Sequence, residues 1–210
     1  MLKIIEENTQ YFRLYFAFFT LLFIYQLTQY QADALIFFSN HRTPFNDFSF
    51  KTLTRFGEEW AYLVVVLGFI FSQKRKQALK ILLAGLGILL VTQILKLVFA
   101  HDRPVTFFEQ QNYLNQINLV QGVDILRGSN SFPSGHSAGG FALWTLMAFY
   151  FNKNFWAVVL FFTLAVLVGV SRMYLVAHFP EDVLLGSTIG VGIAIGIQYF
   201  MQFWGSKPAV

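Results

Sequence analysis

None of the 210 residues is cysteine, so the chain has no disulfide framework and no thiol chemistry, an absence that leaves the redox compartment open. Charge is scarce as well. Asp, Glu, Lys and Arg make up 12% of the chain, against roughly 25% in an ordinary soluble domain, while 56% is hydrophobic and 26 residues are phenylalanine. Low-complexity tracts and internal repeats are missing too. This is a membrane composition in a chain of one domain's length. The net charge of +4 does not point to nucleic acid, because the basic residues sit singly between apolar runs and form no stripe. The opening MLKIIEENTQ carries two acids and leads into Tyr11 without a small-residue cleavage site, which predicts an uncleaved membrane segment and not a signal peptide.

Apolar runs long enough for a hydrocarbon core of about 30 Å fall at roughly 11–30, 78–100, 155–177 and 182–204. Two shorter ones, Trp60 to Ser72 (extended back to about Gly57) and Ser137 to Phe151 (starting at the preceding Ser-Gly-His), also suit a buried or re-entrant helix. We read all six as spans. Their turns share breakers such as His41-Arg42-Thr43-Pro44, Gln73-Lys74-Arg75-Lys76 and the polar stretch 101–132. Six spans put both termini on the side of Lys3, Arg13, Lys74, Arg75, Lys76, Lys80, Lys153 and Lys207. The other side takes Arg42, Lys51, Arg55, Lys96, Arg103, Arg127 and Arg172. By the positive-inside rule this modest bias places the termini in the cytoplasm.

On the outer side, facing the periplasm or exterior, three distant segments converge. KLVFAHDRP ends span three, SFPSGHSAGG begins span four, and SRMYLVAHFPED joins spans five and six. Together they hold Lys96, Arg103, His136, Arg172, His178 and Asp182. Ionisable residues in a membrane bundle mark function by default. Three cations at one mouth repel each other unless an anion lies between them, and only Asp182, with Glu181, is near in sequence. The missing partner reads as a phosphate on the substrate, whose charge and acceptor oxygens suit two Arg forks and a Lys. Ser134 and Gly135, at a helix start, offer main-chain N–H groups to the same anion. Pro180 suits the first helical position, which makes Asp182 a first-turn acid able to reach back to His178. Held so, His178 keeps its other nitrogen free to attack phosphorus, and His136 can protonate the leaving oxygen and later activate water.

The same residues carry a family resemblance. K-x6-R-P at 96–104, P-S-G-H at 133–136 and S-R-x5-H-x3-D at 171–182 match the three motifs of the type 2 phosphatidic acid phosphatase superfamily at all eleven specified positions. The chain resembles the integral-membrane lipid phosphatases of that group, in motif over 96–182 and in six-span layout throughout. The resemblance implies an all-α polytopic bundle of six transmembrane helices, one domain over 1–210, with the active site at its outer-face mouth. It implies a metal-independent, cofactor-free phosphohydrolase with a phosphohistidine on His178. Asp182 would orient that histidine, His136 would be the acid, and Lys96, Arg103 and Arg172 would bind the phosphoryl oxygens with Ser134 and Gly135 assisting. Soluble vanadate-dependent haloperoxidases share the superfamily, and six apolar spans argue against that branch.

Taken singly, each residue has a plainer reading. Lys96 suits a snorkelling lysine and Arg172 an interfacial anchor, and His178 with Asp182 could be half a zinc site. These readings do not explain why all the candidates fall on one side, and three cations would oppose a divalent ion. His41 and His101 read as loop residues, with His101 or Asp102 within reach of a head group. Gly186, Gly190, Gly192 and Gly196 have the small-x3-small spacing of a homodimer face or of close packing inside the bundle. Phe45, Phe48, Leu53 and Phe56 suit either an interfacial stretch or a lid on the bundle. The expected activity is hydrolysis of a lipid phosphate or pyrophosphate: undecaprenyl pyrophosphate, phosphatidylglycerophosphate, phosphatidic acid or lipid A 1-phosphate. A phosphotransferase of the same mechanism and a lipid-binding or transport protein are the alternatives. Mere binding would not need His178 paired with Asp182.

Overall fold

The computed structural model describes residues 1–205, and Lys207, counted above toward the cytoplasmic side, lies outside them. Among the described residues the chain is helical and has no strand. A short α1 (Leu2–Glu7) leads into α2 (Thr9–Thr28), and the connection after it folds into α3 (Asp33–Asn40) and α4 (Pro44–Leu53). Thr43 caps α4 by accepting from the Asn46 N–H, with Pro44 at the first helical position. A 3-10 turn, Thr54–Gly57, precedes α5 (Glu59–Phe71), so the expected extension of that span back to Gly57 is corrected: extended backbone at Glu58 separates the two. Then follow α6 (Arg75–Phe99), α7 (Pro104–Gln110), α8 (Gly135–Tyr150), α9 (Phe155–Tyr174) and α10 (Pro180–Gly205). The polar stretch 101–132 is therefore not all loop, since α7 and a 3-10 turn at Leu114–Gln116 lie within it.

By length and composition four stretches could cross a membrane: α2, Arg75–Gln110 (α6 running on toward α7), α9 and Pro180–Phe203 of α10. The bundle is that of a multi-pass membrane protein. The shorter α8 stands at its centre, where Ser137 to Leu146 are buried without a break. Its most extensive contacts are with α10 and α9, and α6 also packs on it. A helix so enclosed needs no charged face, and beyond His136 and the aromatic residues its polar side chains are Ser137 and Thr145, both buried and hydrogen-bonded.

Small residues let these helices close. A Cβ on Gly190 would lie 2.4 Å from the Ala138 carbonyl oxygen and one on Gly186 would lie 2.6 Å from that of Ser134, so both glycines serve contact between α10 and α8. Gly192 and Gly196 would meet nothing within 4 Å. Of the two readings of α4, packing on the bundle accounts for Phe50, stacked on Tyr174 at 4.3 Å, and for Asp47, which accepts from the Tyr174 hydroxyl at 2.6 Å. Phe45 and Phe48 remain exposed.

The two ends of the bundle differ. At one, the Asn152 side chain donates to the Glu7 carbonyl and Lys74 bonds the Tyr150 hydroxyl, gathering the chain start and the α5–α6 and α8–α9 turns. The three motifs meet at the other. Gly190→Ala should lower the thermal unfolding midpoint in detergent, with a cost of about 1–3 kcal/mol because backbone must move, whereas Gly192→Ala should leave the midpoint unchanged or raise it.

Candidate active site

Asp182 holds the site together. It lies in the first turn of α10, fully buried, and its Oδ2 accepts from the Phe179 N–H at 2.9 Å, half of a capping box. The same oxygen accepts from the Ser131 hydroxyl at 2.5 Å and pairs with His178 Nδ1 at 3.2 Å. Its main-chain carbonyl accepts from the Ser134 N–H at 3.0 Å, tying the start of α8 to the start of α10. Ser134 caps α8 by accepting from Ser137 N–H and hydroxyl. The Ser134 N–H, which the sequence reading offered to an anion, is thus spent on the Asp182 carbonyl. The main-chain N–H groups of Gly135 and His136 follow it in the first helical turn, where the helix ladder supplies no acceptor.

His178 is 2% exposed, on the link between α9 and α10. Arg103 Nη1 lies 3.2 Å from its Nε2. Guanidinium only donates, so Nε2 is the acceptor with the free lone pair, and Nδ1 carries the proton directed at Asp182. Burial first, then the charges of Arg103, Arg172 and Lys96, hold the His178 pKa well below its ordinary value, which keeps the ring neutral.

Arg103, 6% exposed, caps α7 and donates to Asn130 at 2.8 Å and to the Ala177 carbonyl at 3.1 Å. Arg172 lies in the last turn of α9 and is equally buried. Its Nη1 donates to Thr54 at 2.7 Å, and its buried Nε has no partner among the described residues. Lys96 ends α6 within electrostatic reach of Arg103, Arg172 and Asp182. Among the described residues none of these three cations forms an ion pair within 4 Å. A buried orphaned donor between unpaired cations has the chemistry to seat an anion.

His136, in the first turn of α8, has its Nε2 3.4 Å from Glu58 Oε1. That bond holds the Glu58 carboxyl below its usual range against the opposing effect of burial. Beside them a cavity of about 330 Å³ runs between α5, α6 and α8. Lys96, His136 and Glu58 line its polar end, and Leu82, Leu86 and Leu89, all outward-facing, line its apolar one.

Sequence reasoning missed Glu58, Ser131, Thr54 and Asn130. The signal for Ser131 was its place just before P-S-G-H, and for Glu58 the acid pair at the start of a span; Thr54 and Asn130 gave none. His101 pairs with Glu181 at 3.4 Å, and these two with Asp182 bring ligand-capable atoms within 4.8 Å of one another. Asp102 is taken up by Ser129 and Gln110.

The family model described as PAP2 superfamily matches residues 77–206, which include every motif residue above. The chain belongs to the PAP2 superfamily. It is 31% identical over 143 residues to the undecaprenyl-diphosphatase BcrC of Bacillus subtilis, in an alignment covering 67% of this chain and 66%, just under two thirds, of that relative. In fold it is similar to the crystal structure of Aquifex aeolicus LpxE, with a TM-score of 0.68 and 24% identity, covering 80% of this chain and 94% of that one. It is likewise similar to a transmembrane PAP2-type phosphatidylglycerolphosphate phosphatase from Bacillus subtilis, with a TM-score of 0.64 and 24% identity over 96% of this chain and 99% of that one.

Arg172→Gln should weaken binding of inorganic phosphate by about 10-fold or more, the worth of one hydrogen bond to a charged group, as read by titration calorimetry on purified protein.

Proposed function

We propose that this PAP2 protein is a membrane lipid phosphatase that works through a phosphohistidine. One observation carries the reading: Asp182 and Arg103 hold the neutral His178 ring from opposite sides, which leaves its Nε2 lone pair beside the anion seat. Lys96, Arg103 and Arg172 bind the phosphoryl oxygens, with the Gly135 N–H and the Ser134-capped turn assisting. Phosphate draws the Arg103 fork off Nε2, which then attacks phosphorus. As the N–P bond forms, the bond to the leaving oxygen breaks and His136 gives that oxygen a proton. In the second step His136 takes a proton from water, the water oxygen attacks phosphorus, the N–P bond breaks, and inorganic phosphate leaves with His178 restored. Asp182 keeps the His178 proton on Nδ1 throughout.

The substrate class follows from the cavity. Its apolar end, at outward-facing leucines of α6, suits an acyl or prenyl tail reaching the phosphate from the side. Likeness to an undecaprenyl-diphosphatase favours a prenyl pyrophosphate among the lipids considered, ahead of phosphatidylglycerophosphate, lipid A 1-phosphate and phosphatidic acid.

We read the chain as a single domain with six crossings, α2, α5, α6, α8, α9 and α10, in a cell membrane, termini cytoplasmic and site outward. With 13 and 16 residues, α5 and α8 span only about 20 and 24 Å. Both begin at the site end, and their far ends meet where Phe69 packs on Tyr150. The mouth is therefore recessed to head-group depth, which suits a phosphate whose tail stays in hydrocarbon.

The test is phosphate release in detergent from a panel of lipid phosphates and pyrophosphates with chelator present. Wild type should release phosphate, and His178→Ala should abolish turnover while still binding inorganic phosphate; substantial activity in that variant overturns the nucleophile. As the chain has no native cysteine, Arg127→Cys and Lys76→Cys can be labelled cleanly in intact cells. A membrane-impermeant maleimide should reach position 127 and not 76; the reverse pattern overturns the orientation.

A further inference from the structure

Each histidine of the site has a carboxylate against it, but only one of the two carboxylates belongs to a family motif. Asp182 serves His178, and Glu58 stands 3.4 Å from His136 Nε2. Glu58 lies outside residues 77–206, the stretch that matches the family model. It enters from another part of the chain, at the break between the 3-10 turn and α5, where it is the cap residue.

We infer that Glu58 is a positioning residue for His136, fixing its ring and tautomer and supporting the protonated form that gives the leaving oxygen its proton. The inference rests on the phosphatase reading and extends it to a residue beyond the motifs.

The backbone is built for this contact. Gly57 brings the turn so close to α8 that a Cβ there would lie 2.7 Å from the His136 carbonyl oxygen and 2.5 Å from a Val168 methyl. On the other side of the turn, Tyr62 donates to the Gly139 carbonyl at 2.8 Å and Trp144 donates to that of Phe56 at 2.9 Å. Glu58 is thus held to α8 from three sides. The other charged and titratable groups facing His136 are Glu59 from α5, Lys96 from α6 across the shared cavity, Arg172 from α9 and His178 from the link before α10. Arg172 opposes a charged imidazole, and Glu58 is the carboxylate in hydrogen-bonding reach to offset it. With Nε2–H donated to Glu58, the proton that moves belongs to Nδ1: it passes to the leaving oxygen in the first step and is regained from water in the second.

Such a residue matters in proportion to the leaving group's need for a proton. Dodecyl phosphate loses an alkoxide, which must be protonated. Dodecyl pyrophosphate has the same tail but loses dodecyl phosphate, stable as an anion. For Glu58→Gln we expect kcat on dodecyl phosphate to fall by about 10-fold or more, with KM within about 2-fold, and kcat on dodecyl pyrophosphate to fall by less than about 3-fold. Glu6→Gln, exposed on α1 at the opposite end of the bundle, should change neither. An equal loss on both substrates would mean that Glu58 only supports the structure, and no loss on either would mean it has no part; both overturn the inference. If Glu58→Gln fails to fold, Glu58→Asp carries the same comparison with a carboxylate on a shorter arm and should show the same ratio in weaker form. Wild-type protein that turns over neither substrate overturns the phosphatase reading itself and this inference with it, an outcome distinct from a wild type that is active and a variant that is indifferent to the leaving group.

Discussion

One buried carboxylate organises the mouth of this bundle. Asp182 gathers a hydroxyl from the loop before α8, a main-chain amide at its own helix start and a histidine one turn back, while its carbonyl anchors the cap of α8. Two chain segments that are remote in sequence, 131–134 and 178–182, are thereby fixed to one point. All three donors fall on Oδ2, and the buried Oδ1 has no partner among the described residues, so the carboxylate is held from one side. The position of His178 follows from those bonds, and that of the α8 start, which carries His136, from the bond to the carbonyl.

Around this anchor the cations remain uncompensated. Arg103 and Arg172 are buried, and their bonds go to neutral groups: an amide side chain, a carbonyl, a hydroxyl and an imidazole. A protein selected for stability alone would pair them with acids. On the phosphatase reading, leaving them unpaired keeps an electrostatic deficit that an incoming dianion would relieve, which would favour phosphate over neutral head groups.

Much of this was legible in the chain. Long apolar runs became helices to within a few residues, because a 20-residue apolar stretch has few other solutions in a membrane. Motif residues came together because Pro180 and Ser134 start helices by local rules that need no tertiary information. What stayed hidden depends on contacts across the fold. Glu58 looks like an ordinary acid at a span's start until Gly57 is seen packed on α8. Ser131 is one serine among several, and Thr54 meets Arg172 only once α4 and α9 are side by side. The glycines of α10 show the limit of pattern reading, since one spacing covers two that touch α8 and two that touch nothing.

The cavity with a cationic end and an apolar end has a consequence for product release as well as for recognition. On the phosphatase reading, a lipid split there would yield two products that belong to different phases: free phosphate to water, and the tailed fragment to the bilayer beside the outward-facing leucines of α6. Once parted, they meet again only at the low concentration each keeps in the other's solvent. On that reading, two such exits would let each product leave without crossing the path of the other, so that neither need hold up the next substrate.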